Sequence, residues 1–531
     1  MLPKIPVLAD YGISPKHGFL PNELPLSHLP DPYYNKWEAV VANLPALILS
    51  RRLRGVVDRL PVLSTIGLEH DSEWRRAYSI LCFIAHGYIW GGDSPSDRLP
   101  PPITVPLLAV SAHLEVPPVA TYAAVCLWNF KPLFVDEGVD QLENLATLNT
   151  FTGSIDESWF YLVSVAMEAR GGPMIAIMLK AMAAVREDDA EMVTACLCTF
   201  AERLDDLGEL LQRLHEQCEP TVFYHRIRPF LAGSKNMAEA GLPNGVLYDE
   251  GKDSDTDGGG ESVYRQYSGG SNAQSSLIQF FDIVLSVQHR PTGTKASNTD
   301  AAGTGGSDTA IADAAASRHN FILEMRKYMP GAHARFLQDV SDVANIRPYV
   351  MAKQAAGTHR PLSIAYDSCL ATLRALRDKH IAVVTRYIVL PSRDISRARS
   401  RSRSPETWRR PAPSVHRPKT MNLALATTNK VSDGGTNKAL KGTGGTALMS
   451  FLKQARDETG EPAVEEWAQR FLHRQDRVPG KNDFFFGKPT ETAAPAVAAE
   501  TVTVAEAEKV ELGGLAGTWT LDDDVGGLCA F

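Results

Sequence analysis

Of the fourteen histidines in the chain, one sits where imidazole chemistry would want it. In the run Ile364–Val389, Leu373, Leu376, His380, Val383, Val384 and Tyr387 recur at steps of three and four, so they share one helical face. An imidazole in such an apolar stripe loses its hydration unless it gains a partner. A metal is one such partner, and an iron held by a single histidine in an apolar pocket has this character. The other reading is a core histidine bonded to a backbone or carboxylate neighbour, and on periodicity alone it is the commoner. A second candidate is Phe223-Tyr224-His225-Arg226-Ile227-Arg228-Pro229-Phe230. On a regular helix Tyr224 and Arg228, four apart, lie on one face. Rings beside a guanidinium fork suit an aromatic amino acid with a carboxylate, although a core-edge segment with solvated arginines fits the same pattern.

Two glycine-rich stretches precede apolar helices. Ser268–Ser276 (SGGSNAQSS) lets backbone and ligand approach closely, and free N–H groups at a helix start suit negatively charged oxygens. It reads equally well as an ordinary connector. Gly442-Thr443-Gly444-Gly445-Thr446-Ala447 leads into a short helix, Leu448–Leu452, and suits a mobile lid. No HExxH, GxxxxGK[ST] or GxSxG motif is present, and no carboxylate pair stands out for acid–base work. The seven cysteines are scattered without a CxxC pair, which argues against a zinc site or disulfide framework and for a reducing compartment.

The elements that must hold these residues are helical. Ser154-Ile155-Asp156-Glu157 is a capping box that should open an apolar helix, broken or kinked at Gly171-Gly172-Pro173. Further helices are predicted over Asp189–Gln217, Ser275–Gln288, Arg318–Tyr328 and Ile364–Val389, the last ended by Pro391. Pro100–Pro106 is too proline-dense for a helix and closes a small, mixed or helical N-terminal domain at about residue 115. The fold class is therefore mainly α-helical, with a large helical domain over 116–454. Residues 291–317, the Arg/Ser-rich 392–437 and the tail 455–531 have the composition of disordered segments, a short helix near Glu461–Leu472 excepted.

The 531 residues carry 54 basic and 62 acidic side chains, a net charge of −8, with 44% hydrophobic residues, so a large core is available. No run reaches the ~18 apolar residues of a membrane span; the nearest, Pro173–Val185, is broken by Lys180. The chain is expected to be soluble, cytoplasmic and monomeric, with no membrane and no nucleic-acid partner. An RNA-binding role for the run 397–404 is the rival reading, but the remainder is acidic and lacks an aromatic-laced basic surface.

Taken in order, Leu44–Leu60, Pro117–Trp128, Phe160–Ser164, Pro220–Gly233, Gly269–Asp282, Met325–His333, Leu376–Leu390 and Gly442–Leu452 resemble the indoleamine 2,3-dioxygenase family across nearly all of the chain to residue 454. The resemblance implies a haem b cofactor and a dioxygenase that opens the indole C2=C3 bond of tryptophan or related indoleamines with O2. The product would be N-formylkynurenine, at the head of tryptophan catabolism toward kynurenine and NAD. It implies His380 as the haem ligand, with Asp282 near it, and Ser164, Gly270, Ser271 and Arg377 about the haem. It implies Arg228 for the substrate carboxylate, Phe223 and Tyr224 against the indole, Tyr122 and Phe160 in the distal wall, and Thr443 and Gly444 in the closing loop. Tyr224, His225, Ile278 and Asn272 depart from the family's usual residues toward a more polar pocket. A haem-binding member with weak or lost turnover, acting as a sensor, is the alternative function.

Overall fold

The computed structural model describes residues 3–251, 263–293, 320–394, 422–428, 431–432, 438–443, 447–472, 511–514 and 517–520. Its architecture is mainly α-helical. Residues 1–475 form one compact unit that takes in both segments expected on either side of residue 115. In the second unit, 476–531, the described strands Glu511–Gly514 and Gly517–Thr520 pair antiparallel.

At the centre runs a helix of 32 residues, Ile155–Arg186. It is long and apolar enough to cross a bilayer, but 72% of its most apolar window is buried inside the molecule, so it serves as the core strut. Ala190–Gln212 packs along it, and Arg360–Val384 packs on Ala190–Gln212. Ser276–Val284 lies between the central helix and Gly331–Val343. Asp71–Trp90, buried over nearly its whole length, carries the N-terminal part. Strands are few and short: Val246–Tyr248 pairs parallel with Arg98–Leu99 and antiparallel with Val263–Arg265, and Phe130–Pro132 pairs antiparallel with Leu145–Thr147.

Several local expectations fail for physical reasons. Pro101–Leu114 is a helix, because its prolines stand at the first positions, whose N–H groups have no intrahelical acceptor anyway; Pro106 is carried inside it. The central helix runs straight through Gly171-Gly172-Pro173. There the glycines allow contact: a Cβ on Gly172 would meet the backbone nitrogen of Gly18 at 2.4 Å, and one on Gly171 would meet Leu277 Cδ2 at 2.2 Å. The capping box is half formed. Ser154 Oγ accepts from Glu157 N, but the Glu157 carboxylate accepts from Phe151 and Thr152 N (both 2.7 Å) rather than from Ser154. Helical backbone continues past Pro391 to residue 394. A widened turn, Thr385–Val389, precedes that proline and relieves the clash between its ring and the preceding turn.

Chain inside two stretches assigned to disorder is ordered where described, and the short helix expected near Glu461–Leu472 is there. Leu423–Thr428 is a helix within the supposed 392–437 insertion. Leu448–Glu458 and Glu466–Leu472 carry ordered chain past residue 454. Asp367 fixes the latter, accepting from Val464 N at 2.9 Å and Glu465 N at 2.8 Å, while Arg374 donates to Leu472 O at 2.6 Å. The rest of the three low-complexity stretches lies largely outside the described residues.

Candidate functional site: an apolar cavity

The helices enclose a deep cavity whose walls come from stretches of chain spread between Tyr122 and Ala455. Leu373, Leu376, Arg377, His380, Ile381 and Val384 form one wall. The His380 ring is half-buried because it borders the cavity, and among the described residues it makes no hydrogen bond. Burial, with Arg377 nearby, pushes its pKa down to about 4, so the ring is neutral at pH 7 and a ring nitrogen has a free lone pair. His86 shows the contrast: its Nδ1 lies 2.7 Å from Phe230 O, and its Nε2 accepts from Ala120 N at 3.0 Å. That is a satisfied core histidine, whereas His380 is not.

Among the described residues no cluster of three or more His, Cys, Asp or Glu could hold a bare ion. A metal on His380 would have to bring its other ligands with it, as a porphyrin does. A wall of Leu, Ile, Val and Phe side chains, one unbonded neutral imidazole, and a guanidinium on the same helix turn fit such a flat, apolar, acid-bearing group.

Opposite chemistry marks the far part of the cavity. Arg228 is 1% exposed, and burial lowers its pKa to about 10. Its Nη1 donates to Thr428 Oγ1 at 2.7 Å and its Nη2 to Lys441 O at 2.7 Å, while Nε has no partner. No carboxylate pairs with it among the described residues. A buried cation without an anion costs several kcal/mol, so the site is built for an anion that arrives from outside. Phe223 and Phe160 line the cavity beside it, their rings 4.7 Å apart. Tyr224, expected against the indole, is fully buried and is not a lining residue; its hydroxyl has no partner and its ring packs edge-on to His225. The reason is a π-turn, Phe223–Ile227, whose extra residue rotates the downstream side chains by about 100° relative to a regular helix and breaks the Tyr224–Arg228 alignment.

That π-turn is one of three among the described residues, with Ala123–Leu127 and Thr385–Val389, and each delivers lining side chains: Val125 and Cys126, Phe223, and Tyr387 and Ile388. Hydrogen bonds hold these segments in place. Trp90 Nε1 donates to Ala232 O at 3.0 Å just beyond Arg228, and Gln274 Oε1 accepts from Tyr122 N at 2.9 Å.

The glycine-rich stretch is a packed wall rather than a connector. A Cβ on Gly269 would meet Leu231 O at 2.1 Å, and one on Gly233 would meet Gly269 N at 2.3 Å. Gly270, Ser271 and Asn272 line the cavity, and the Ser271 hydroxyl caps Ala273 N at 3.3 Å. Thr443 clasps this wall: its Oγ1 donates to Gly270 O at 2.8 Å, and its carbonyl accepts from Gly269 N at 3.1 Å. Gly444 lies outside the described residues. Beyond it, Leu448, Phe451, Leu452 and Ala455 complete the enclosure.

Tyr122, Phe160, Ser164, Phe223, Arg228, Gly270, Ser271, Thr443, Arg377 and His380 thus meet at one cavity. Asp282 does not line it. Its oxygens accept from Arg377 Nη2 at 2.6 and 2.7 Å and face His289 Nε2 at 3.0 Å, so it reaches His380 only through Arg377. Sequence reasoning missed Thr428 and Lys441, which seat Arg228, and Glu168. Glu168 lines the cavity and is 2% exposed. Its Oε1 accepts from Ser275 Oγ at 2.6 Å and Tyr122 OH at 3.0 Å, while Oε2 has no partner. Burial raises its pKa to about 7. Its spacing of four from Ser164 was a visible signal; the apolar helix LALA before Thr427-Thr428 was another.

The indoleamine 2,3-dioxygenase family model matches residues 7–462. An indoleamine 2,3-dioxygenase of Saccharomyces cerevisiae is 42% identical over 468 residues, 86% of this chain and 93% of that protein. One from Aspergillus nanangensis is 40% identical over 457 residues, 85% of this chain and 96% of its own. A 6-hydroxytryptophan 2,3-dioxygenase of Fusarium equiseti is 35% identical over 455 residues, 86% and 97%. With the family model spanning residues 7–462 and relatives this similar over most of their length, the chain belongs to the indoleamine 2,3-dioxygenase family.

Proposed function

We propose that this protein cleaves the indole C2=C3 bond of L-tryptophan, or of a closely related indoleamine, with O2 to give the N-formylkynurenine product. The observation that carries this reading is the pairing, in one apolar cavity, of an unbonded neutral imidazole with a buried guanidinium that lacks an anion. Haem b, when bound, supplies the iron at which O2 is activated. His380 would hold that group through its free ring nitrogen. Arg377 and the Gly270–Ser271 wall lie where they can receive its polar edge.

The remaining residues bind, orient and exclude water. Arg228 takes the substrate carboxylate, and Thr428 and the Lys441 carbonyl hold its fork in place before the substrate enters. Phe160, Phe223 and Tyr122 give the indole an apolar slot. Thr443 is tied to the Gly270 wall, and Leu448, Phe451 and Leu452 close the cavity beside it, which keeps water out. No acid–base pair is required of the protein, since the hard chemistry is the cofactor's.

Purified protein reconstituted with haem should show a Soret band that shifts with CO and with L-tryptophan, and under reducing conditions should form N-formylkynurenine. His380→Ala should lose both the band and the product. A normal Soret band with normal turnover in that variant would sink the assignment.

A further inference from the structure

His289 stands outside the cavity, 5% exposed, with a carboxylate at each ring nitrogen. Nε2 lies 3.0 Å from Asp282 Oδ2 and Nδ1 lies 2.8 Å from Glu458 Oε2. Ionised carboxylate oxygens can only accept, and a neutral imidazole has a single N–H. Both contacts are satisfied together only by the imidazolium. The surrounding charges agree. Arg377 donates to both Asp282 oxygens, and Arg326 also lies within electrostatic reach of Asp282. Glu458 Oε1 accepts from Arg290 N at 3.1 Å and Gln454 Nε2 at 2.8 Å, with Arg290 Nε 3.7 Å away, and Arg290 in turn pairs with Glu461. Within the buried set, Asp282 and Glu458 balance His289 and Arg377.

The cluster joins three cavity-forming elements. Asp282 is on Ser276–Val284, Arg377 is three residues before His380 on Arg360–Val384, and Glu458 ends the helix Leu448–Glu458. That last helix carries Leu448, Phe451, Leu452 and Ala455 into the cavity and comes directly after the Thr443 segment. Arg377 Nη1 also donates to Thr459 Oγ1, so the same guanidinium grips both sides.

We propose that His289 is a protonation-dependent clasp: as imidazolium it ties the closing helix Leu448–Glu458 to Asp282 and steadies Arg377, and its deprotonation frees that helix and opens the cavity. Loss of the proton to solvent leaves two buried carboxylates sharing one N–H, an uncompensated negative charge of the kind that strongly destabilises an interior. The two carboxylates outweigh burial and raise the pKa of His289. A raised folded-state value means the clasp is fully present below the ordinary imidazole range of about 6.5 and is lost as pH rises through the raised value. The clasp stands on this geometry alone; its effect on catalysis rests on the dioxygenase reading.

The test uses the full chain as purified. Histidine 15N spectra should show His289 with both nitrogens protonated at about pH 7. Amide protection over 448–459, corrected for intrinsic exchange, should fall roughly ten-fold as pH passes its titration. In His289→Gln the protection should be low throughout and without the step. Should that variant not fold, Glu458→Gln serves: it should lower the His289 titration by about one unit and move the step with it. A single neutral tautomer at about pH 7, or an unchanged step in His289→Gln, would overturn the clasp. With haem bound, the apparent KM for the indole substrate should rise over the same pH range while kcat holds; a flat KM profile in active enzyme would overturn the link to cavity closure. Failure to turn over any indole would count against the dioxygenase reading and not against the exchange results.

Discussion

Buried polar side chains normally have their partners accounted for; among the described residues Arg228 Nε and Glu168 Oε2 at this cavity do not, and the half-buried His380 ring makes no hydrogen bond. Arg228→Ala should raise KM with a smaller change in kcat. It should cost about 2 kcal/mol or more of substrate binding, roughly 30-fold in kcat/KM, as steady-state kinetics will show. Arg228→Lys should recover little of it, because a point charge cannot reproduce the fork seated on Thr428 and Lys441. Glu168 makes a stability prediction. Its pKa is raised from 4.5 to about 7, so the folded state binds more protons than the unfolded chain between those values, and stability falls as pH rises through that window. The fall is worth about 3 kcal/mol, and urea denaturation at both ends should find it missing in Glu168→Gln. Residue types and spacing were enough to place His380 on an apolar face and Arg228 among rings. Their lack of partners was not legible, because it depends on chain more than a hundred residues away.

The three π-turns are the elements that a 3.6-residue period cannot see. Each sits in a stretch that carries the family likeness, and each points side chains into the cavity that a regular helix would turn aside. Tyr224 is turned out of the lining for this reason, while Phe223 and Arg228 line the cavity. Prolines and glycines misled in the same way: Pro101 and Pro102 open a helix, and Gly171–Pro173 pass through one because burial and close contact outweigh local preference. Gly269→Ala should be among the most damaging small changes, since its Cβ would strike Leu231 O at 2.1 Å and the neighbour is backbone. It should lower Tm by several degrees and weaken haem retention, measured by thermal melting and by the Soret absorbance after gel filtration. Gly12→Ala provides the comparison: it has no atom within 4 Å, but its φ of +65° strains an alanine, so it should cost stability without touching haem retention.

The start of the central helix, the helices packed along it and the low-complexity composition of the 291–317 stretch were readable from pattern, whereas the passage of that helix through Gly171–Pro173 was not. The end of the folded body was readable only as a short helix near Glu461–Leu472, without what anchors it. Residues 455–472 are short of large apolar side chains, yet Asp367, Arg374 and Arg377 hold them by hydrogen bonds that composition cannot reveal. A chain ending at residue 454 should therefore melt several degrees lower than one ending at 475 and bind haem poorly, by calorimetry and absorbance. The seat of Arg228 has a further consequence. Its partners Thr428 and Lys441, and the Thr443 bond to Gly270, come some two hundred residues later in the chain. On the ribosome, at about 5–20 residues per second, the wall that ends with His380 stands unclosed for about 3 to 12 seconds before Lys441 follows. The order of synthesis itself leaves a doorway open in which a flat prosthetic group can enter before the last segment seals it in.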